Sequence, residues 1–220
     1  MKPKFLLIYA LLFSISNLVA QHNKVYNKEY LVEGTDTLKL RVLYPENFIK
    51  TESYPVVLFL HGAGERGNDN EKQLVHGSKT FADSIQKYPS IIIFPQCKQN
   101  DYWANVTVDR TVQPLSLQFP LDNKPTKSLH LVMRYLDELV KNTYVKKDQI
   151  YLGGLSMGGM GTFELLSRKP ELFAAAFAIC GGGNAELAEK YAKNTAMWVF
   201  HGAEDKVVSP KLSVQMVAAL

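Results

Sequence analysis

The twelve residues Ile150 to Gly161, IYLGGLSMGGMG, constrain this chain more than any other stretch: five glycines surround a single serine. Gln149 to Leu152 is an apolar run of strand length, and Ser156 to Arg168, closed by Pro170, has a helical pattern. The chain must therefore turn sharply from a buried strand into a helix within a few residues. Gly154-Leu155-Ser156-Met157-Gly158 is a G-x-S-x-G motif. A chain of this length holds that pattern by chance in roughly one case in fifteen, so the context carries the weight. In a strand-turn-helix elbow the central residue takes a strained backbone conformation that exposes its side chain. Gly154 and Gly158 fit because side chains at those places would collide across so tight a turn. Ser156 is thus a candidate nucleophile. The competing reading is a glycine-rich crossover with an incidental serine.

The rest of the pattern alternates strand and helix. Glu29 to Glu33 and Leu38 to Leu43 alternate around Gly34-Thr35-Asp36, which predicts a β-hairpin. Pro55 to Leu60, Ile91 to Phe94, Ala174 to Ile179 and Met197 to Phe200 are further strand-like runs. Leu129, Val132, Met133, Leu136, Leu139 and Val140 form one helical face, with Thr126 near its start as a cap. This order predicts an α/β fold, a mostly parallel sheet between helical layers with an antiparallel N-terminal hairpin. From Cys97 to Pro125 there is no period, and so long a loop inside a compact domain is usually functional.

A nucleophilic serine needs amide donors for the negative charge that develops on the attacked carbonyl oxygen. One is the amide after the nucleophile, Met157. The other is expected in the loop after an earlier strand, where His61-Gly62-Ala63-Gly64-Glu65-Arg66-Gly67 follows Leu60. Ala63 is the preferred donor and Gly64 the fallback. His61 reads as a structural strand-end residue. Glu65 and Arg66 pair most simply with each other or with solvent; the sharper reading puts Arg66 in the substrate pocket. The acid should follow the serine, and Asp205 in His201-Gly202-Ala203-Glu204-Asp205 is preferred over its neighbour Glu204.

The segments FLHGAGERG, IIIFPQC, YW, YLGGLSMGGMGT, AICGGG and VFHGAEDKVV, in that order, resemble the α/β-hydrolase superfamily. They are most similar to its secreted serine esterases, the branch labelled predicted peptidase or dienelactone-hydrolase-like, with feruloyl-esterase-like relatives. The resemblance covers Tyr30 to the C-terminus. It implies a three-layer sandwich, ester hydrolysis by a Ser-His-Asp mechanism without metal or cofactor, and a place for Trp103 in the substrate-side loop. A serine peptidase uses the same triad, and a hydrolase fold without its base would be a binding protein. The implied strand order sets two strands between those ending near Cys97 and Cys180. At ~4.8 Å per strand the two cysteines stand roughly 14 Å apart, so two free, mostly buried thiols are expected.

The family's histidine follows the acid, yet His22, His61, His76, His130 and His201 all precede Asp205. The expectation is a chain that stops before its last strand, histidine loop and closing helix, leaving a sheet edge unpaired. Such a chain would be poorly soluble and nearly inactive, because losing a triad member costs about 10⁴–10⁶ in kcat. The alternative is a complete protein that recruits another histidine or none; His130 and His76 are poorly placed for it.

At the N-terminus, Lys2 and Lys4 precede an apolar run from Phe5 to Phe13 and the small residue Ala20. This predicts a signal peptide over 1–20, one hydrolase domain over 21–220, and a secreted or periplasmic protein without stable membrane insertion. The formal charge of +4 falls by two with that leader, and no basic stripe with interleaved aromatics suggests nucleic acid. The expected partner is a small-molecule or carbohydrate-linked ester.

Overall fold

The computed structural model describes residues 25–121 and 124–220; the predicted signal peptide lies outside them. Its strands are β1 (Asn27–Glu33), β2 (Asp36–Leu43), β3 (Tyr54–Leu60), β4 (Ile91–Gln96), β5 (Thr107–Asp109), β6 (Ser116–Gln118), β7 (Val145–Leu155), β8 (Ala175–Ile179) and β9 (Ala196–Phe200). The helices are α1 (Ser78–Ser84), α2 (Lys127–Leu139), α3 (Met157–Arg168) and α4 (Pro210–Ala219). Seven strands form one sheet in the order β1-β2-β4-β3-β7-β8-β9. The hairpin β1–β2 and the pair β2–β4 are antiparallel, and β3–β4, β3–β7, β7–β8 and β8–β9 are parallel. The predicted fold class is therefore observed, and β3 and β7 do separate β4 from β8. Cys97 and Cys180 are both free thiols, the first buried and the second half-buried.

Each face of the sheet carries its own apolar cluster because strand side chains alternate. Leu40, Val42, Leu58, Leu60, Ile93 and Leu152 pack with Leu129, Leu136, Phe163 and Leu166 from α2 and α3. On the opposite face Phe59, Ile92 and Phe94 meet Phe81 of α1. Thr126 Oγ1 accepts from the Leu129 amide, as its position before α2 predicts. Cover on this second face ends before β9. Trp198 is 69% exposed, Phe200 is 41% exposed, and their rings lie 4.8 Å apart. Among the described residues no strand pairs with the outer edge of β9.

Three elements escaped the periodicity argument. Helix α1 is a short insert after Gly77, whose φ of 86° only glycine adopts freely. Strand β7 begins at Val145, four residues before the apolar run, because Val145 pairs with Tyr54 although Lys146 to Asp148 are polar. The aperiodic loop contains the hairpin β5–β6 and joins the C-terminal half through the Leu115 amide, which donates to the Val207 carbonyl at 2.9 Å.

Candidate active site

Ser156 sits between the end of β7 and the start of α3 with φ 54° and ψ −116°. A serine in this region carries on the order of 1–3 kcal/mol of backbone strain, which the surrounding packing must hold. That packing is backbone against backbone. A Cβ on Gly158 would stand 1.9 Å from the Leu60 carbonyl oxygen, and one on Gly154 would stand 2.2 Å from that of Gly158. The elbow is thus pressed onto the C-terminal end of β3, and the Ser156 amide donates to the Ile179 carbonyl of β8 at 2.7 Å. Among the described residues no partner engages Ser156 Oγ, and the side chain is half-buried.

Two amides suited to an oxyanion lie next to this junction. Met157 is the first residue of α3, so its N–H has no acceptor within the helix. Ala63 opens a 3₁₀ turn, Ala63–Glu65, just beyond β3, and is half-buried. The two segments touch: a Cβ on Gly62 would stand 3.0 Å from Leu155 Cδ1. Gly64, the fallback donor, is exposed.

His61 is structural, as expected. Its Nδ1 donates to the Gly62 carbonyl at 2.6 Å, and its Nε2 accepts from the Cys97 amide at 3.0 Å. Burial pushes its pKa down to about 4, so the ring is neutral. Trp103 belongs to the long loop, but its indole is fully buried. It stacks edge-on against His61, donates to the His61 carbonyl at 3.1 Å and packs against Gly161 of α3 rather than facing solvent.

Glu65 and Arg66, expected to pair with each other or with solvent, both take other partners. Glu65 instead lies 3.5 Å from His76 Nε2. Arg66 reaches two carbonyls, through Nε to Ala63 at 3.0 Å and through Nη1 to Asp101 at 3.2 Å. Its guanidinium also lies 4.9 Å from the Tyr102 ring centroid. Backbone acceptors and an aromatic face win because the planar fork can use both at once.

Asp205 lies in the loop after β9, two strands along the sheet from Ser156. Burial tends to raise its pKa, but the Val207 and Val208 amides, donating to Oδ1 at 2.8 and 3.0 Å, and the His201 imidazole outweigh it and hold the carboxyl below its usual range. Glu204 is exposed and has no partner among the described residues, which favours Asp205 as the ordered acid. His201 was not singled out as a site residue. Its Nε2 lies 3.0 Å from the Val208 carbonyl and 3.4 Å from Asp205 Oδ2, and its Nδ1 is 2.6 Å from Ser213 Oγ. The available signal was the repeated His-Gly that ends both Leu60 and Phe200 strands: each imidazole pins the loop that follows it. His130 pairs with Glu33, so each described histidine is engaged away from Ser156.

The chain matches the family model described as "Putative esterase" over residues 34–218. It belongs to that esterase family. A crystal structure of a thermostable esterase is 32% identical, with a TM-score of 0.79, over 90% of this chain and 52% of that one. A bifunctional acetylxylan esterase/xylanase of Neocallimastix patriciarum is 33% identical over 88 residues, 40% of this chain and 13% of that protein. A ferulic acid esterase from Anaeromyces mucronatus, solved with ferulic acid, is 16% identical with a TM-score of 0.59, over 89% of this chain and 78% of that one; it shares the fold. The chain thus spans about half the length of the solved thermostable esterase and a smaller part of the bifunctional enzyme. Among the described residues no helix is long and apolar enough to cross a membrane.

Proposed function

We propose that the protein hydrolyses carboxylic esters with Ser156 as nucleophile. One observation carries the reading: a serine held at φ 54° on a strand-to-helix junction, with an unengaged hydroxyl beside two helix-start amides. Oγ attacks the ester carbonyl carbon and passes its proton to an imidazole. The Met157 and Ala63 amides hold the oxyanion, and the imidazole returns the proton to the leaving alcohol. Water then attacks the acyl-serine by the same route and regenerates the hydroxyl. Asp205 orients the imidazole through Oδ2, since Oδ1 is occupied by backbone amides. We place that imidazole on a histidine outside the described residues, because those within them are committed elsewhere.

Acetyl or feruloyl groups on carbohydrate are the proposed substrates, by analogy with the acetylxylan and ferulic acid esterases above, and the Lys2-to-Ala20 leader supports a secreted or periplasmic location. The test is covalent labelling of the native protein by a fluorophosphonate, read by intact mass, beside a panel of acetyl, feruloyl and peptide substrates. Wild type is expected to gain one adduct and Ser156→Ala none, with kcat lower by about 10⁴–10⁶. Labelling of both would remove Ser156 as nucleophile. Turnover confined to peptides would replace the esterase by a peptidase, and no turnover at all by a binding protein.

A further inference from the structure

We propose that Arg66 is a positioning residue for the oxyanion amides, a role that rests on the esterase reading above. The Ala63–Gly64 peptide is the weak point of the turn. Gly64 is exposed, and a Cβ built there would meet nothing within 4 Å, so neither side chain nor packing resists its rotation. The neighbouring peptides are otherwise held: the Glu65 amide donates to the Gly62 carbonyl, Gln96 Nε2 donates to the Glu65 carbonyl at 3.2 Å, and the Gly67 amide donates to the Cys97 carbonyl at 3.0 Å.

Arg66 Nε fastens the Ala63 carbonyl itself. A peptide group is planar with its C=O and N–H opposed, so fixing that oxygen also fixes the direction of the Gly64 N–H and the ψ of Ala63. The Ala63 N–H belongs to the preceding peptide, whose Gly62 carbonyl already accepts from the Glu65 amide and from His61 Nδ1. The guanidinium therefore sets the Gly64 donor directly and closes the turn that carries the Ala63 donor. The other side of the clamp is firmly anchored. Arg66 Nη1 reaches the Asp101 carbonyl, and Asp101 Oδ2 accepts from the Ser128 amide in the first turn of α2 at 2.7 Å. Tyr102, under the guanidinium, has its carbonyl held by Thr126 Oγ1 at 2.6 Å. Arg66 thus ties the mobile-by-nature glycine turn to the start of a core helix. Lysine would retain the charge and lose the two-carbonyl fork and the stacking.

The experiment compares native wild type with Arg66→Lys and Arg66→Ala on a neutral acetate ester and an anionic succinate half-ester, with hydrogen exchange over residues 62–67. Both variants should lose about ten- to a hundredfold in kcat, less than deletion of a donor costs, with KM within about twofold for both esters. Guanidinium ion in solution should restore part of the kcat of Arg66→Ala. Exchange over 62–67 should quicken in both variants while that of 157–168 stays unchanged. A KM increase confined to the anionic ester, with kcat intact, would make Arg66 a substrate-binding group instead. Unchanged exchange would remove the clamp, and quickened exchange with unchanged kcat would remove its catalytic relevance. Should wild type turn over no ester, the esterase reading fails, while exchange still decides whether the clamp exists.

Discussion

The nucleophile and the acid occupy two regions held by different physics. The elbow at Ser156 follows β7, which is flanked by β3 and β8, and it is fixed by backbone packed on backbone. The loop at Asp205 follows β9, an edge strand whose residues alternate between exposed and half-buried. It is fixed by local hydrogen bonds: two amides on one carboxylate oxygen and an imidazole beside the other. Dense packing makes the first region intolerant of added atoms, whereas a hydrogen-bonded loop with open space around it has room to adjust.

A pair of glycine substitutions separates the two regimes most sharply. In Gly158→Ala the new Cβ falls 1.9 Å from the Leu60 carbonyl oxygen, so the elbow must move off β3. We expect a loss of about 3 kcal/mol or more, at the upper end of overpacking effects, together with loss of Ser156 labelling. Gly202→Ala, in the turn before Asp205, meets nothing within 4 Å and should stay within about 0.5 kcal/mol of wild type. Urea unfolding of both variants provides the measurement. Equal losses would erase the distinction between packed and hydrogen-bonded halves.

Acid should also dismantle the halves at different pH. Burial lowers the His61 pKa from the usual 6.5 to about 4, so the unfolded chain binds that proton more tightly than the folded one. The stabilisation is complete above pH ~6.5 and is lost as pH falls toward 4, about 3 kcal/mol in all. The Asp205 carboxyl is likewise lowered, but from the carboxylate range, so its contribution stands above pH ~4 and disappears below it. Unfolding free energies at pH 7, 5, 4 and 3 should show His61→Gln flatter than wild type between pH 6.5 and 4. Asp205→Asn should differ in slope only below that window. A His61→Gln profile parallel to wild type throughout would contradict the buried neutral imidazole.

How far these regions could be read from sequence follows the same division. The elbow was legible because steric exclusion leaves only glycine at Gly154 and Gly158, and because buried strands such as Ile91 to Phe94 are uninterrupted apolar runs. Thr126 and the hairpin turn at Gly34 were legible for equally local reasons. Helix α1 was not, since its fit depends on Phe81 reaching Phe59 and Phe94, residues distant in sequence. For Arg66, adjacency in sequence offered only Glu65 or solvent, while the fold supplies two carbonyls and a ring. The burial of Trp103 was not legible either, since it depends on contact with His61 and the close approach of Gly161.

The smallest expected effect uses the two thiols, one behind His61 and one where the elbow and the acid loop meet. Cys97 is wholly buried behind His61, and burial pushes its thiol up to about 12. Against an ordinary thiol that means on the order of a thousandfold less thiolate at a given pH, before access is considered. Cys180 follows β8 with φ 43°, its amide donating to the Phe200 carbonyl on β9; burial raises its thiol too, yet the residue is half-exposed. A disulfide reagent at pH 8 should therefore titrate one thiol slowly in the folded protein, the one lost in Cys180→Ser, and the second only in denaturant. Rapid reaction of both would mean that the packing behind His61 opens as readily as the junction at Cys180, and the end of β3 would lose its claim to be the rigid support of the elbow.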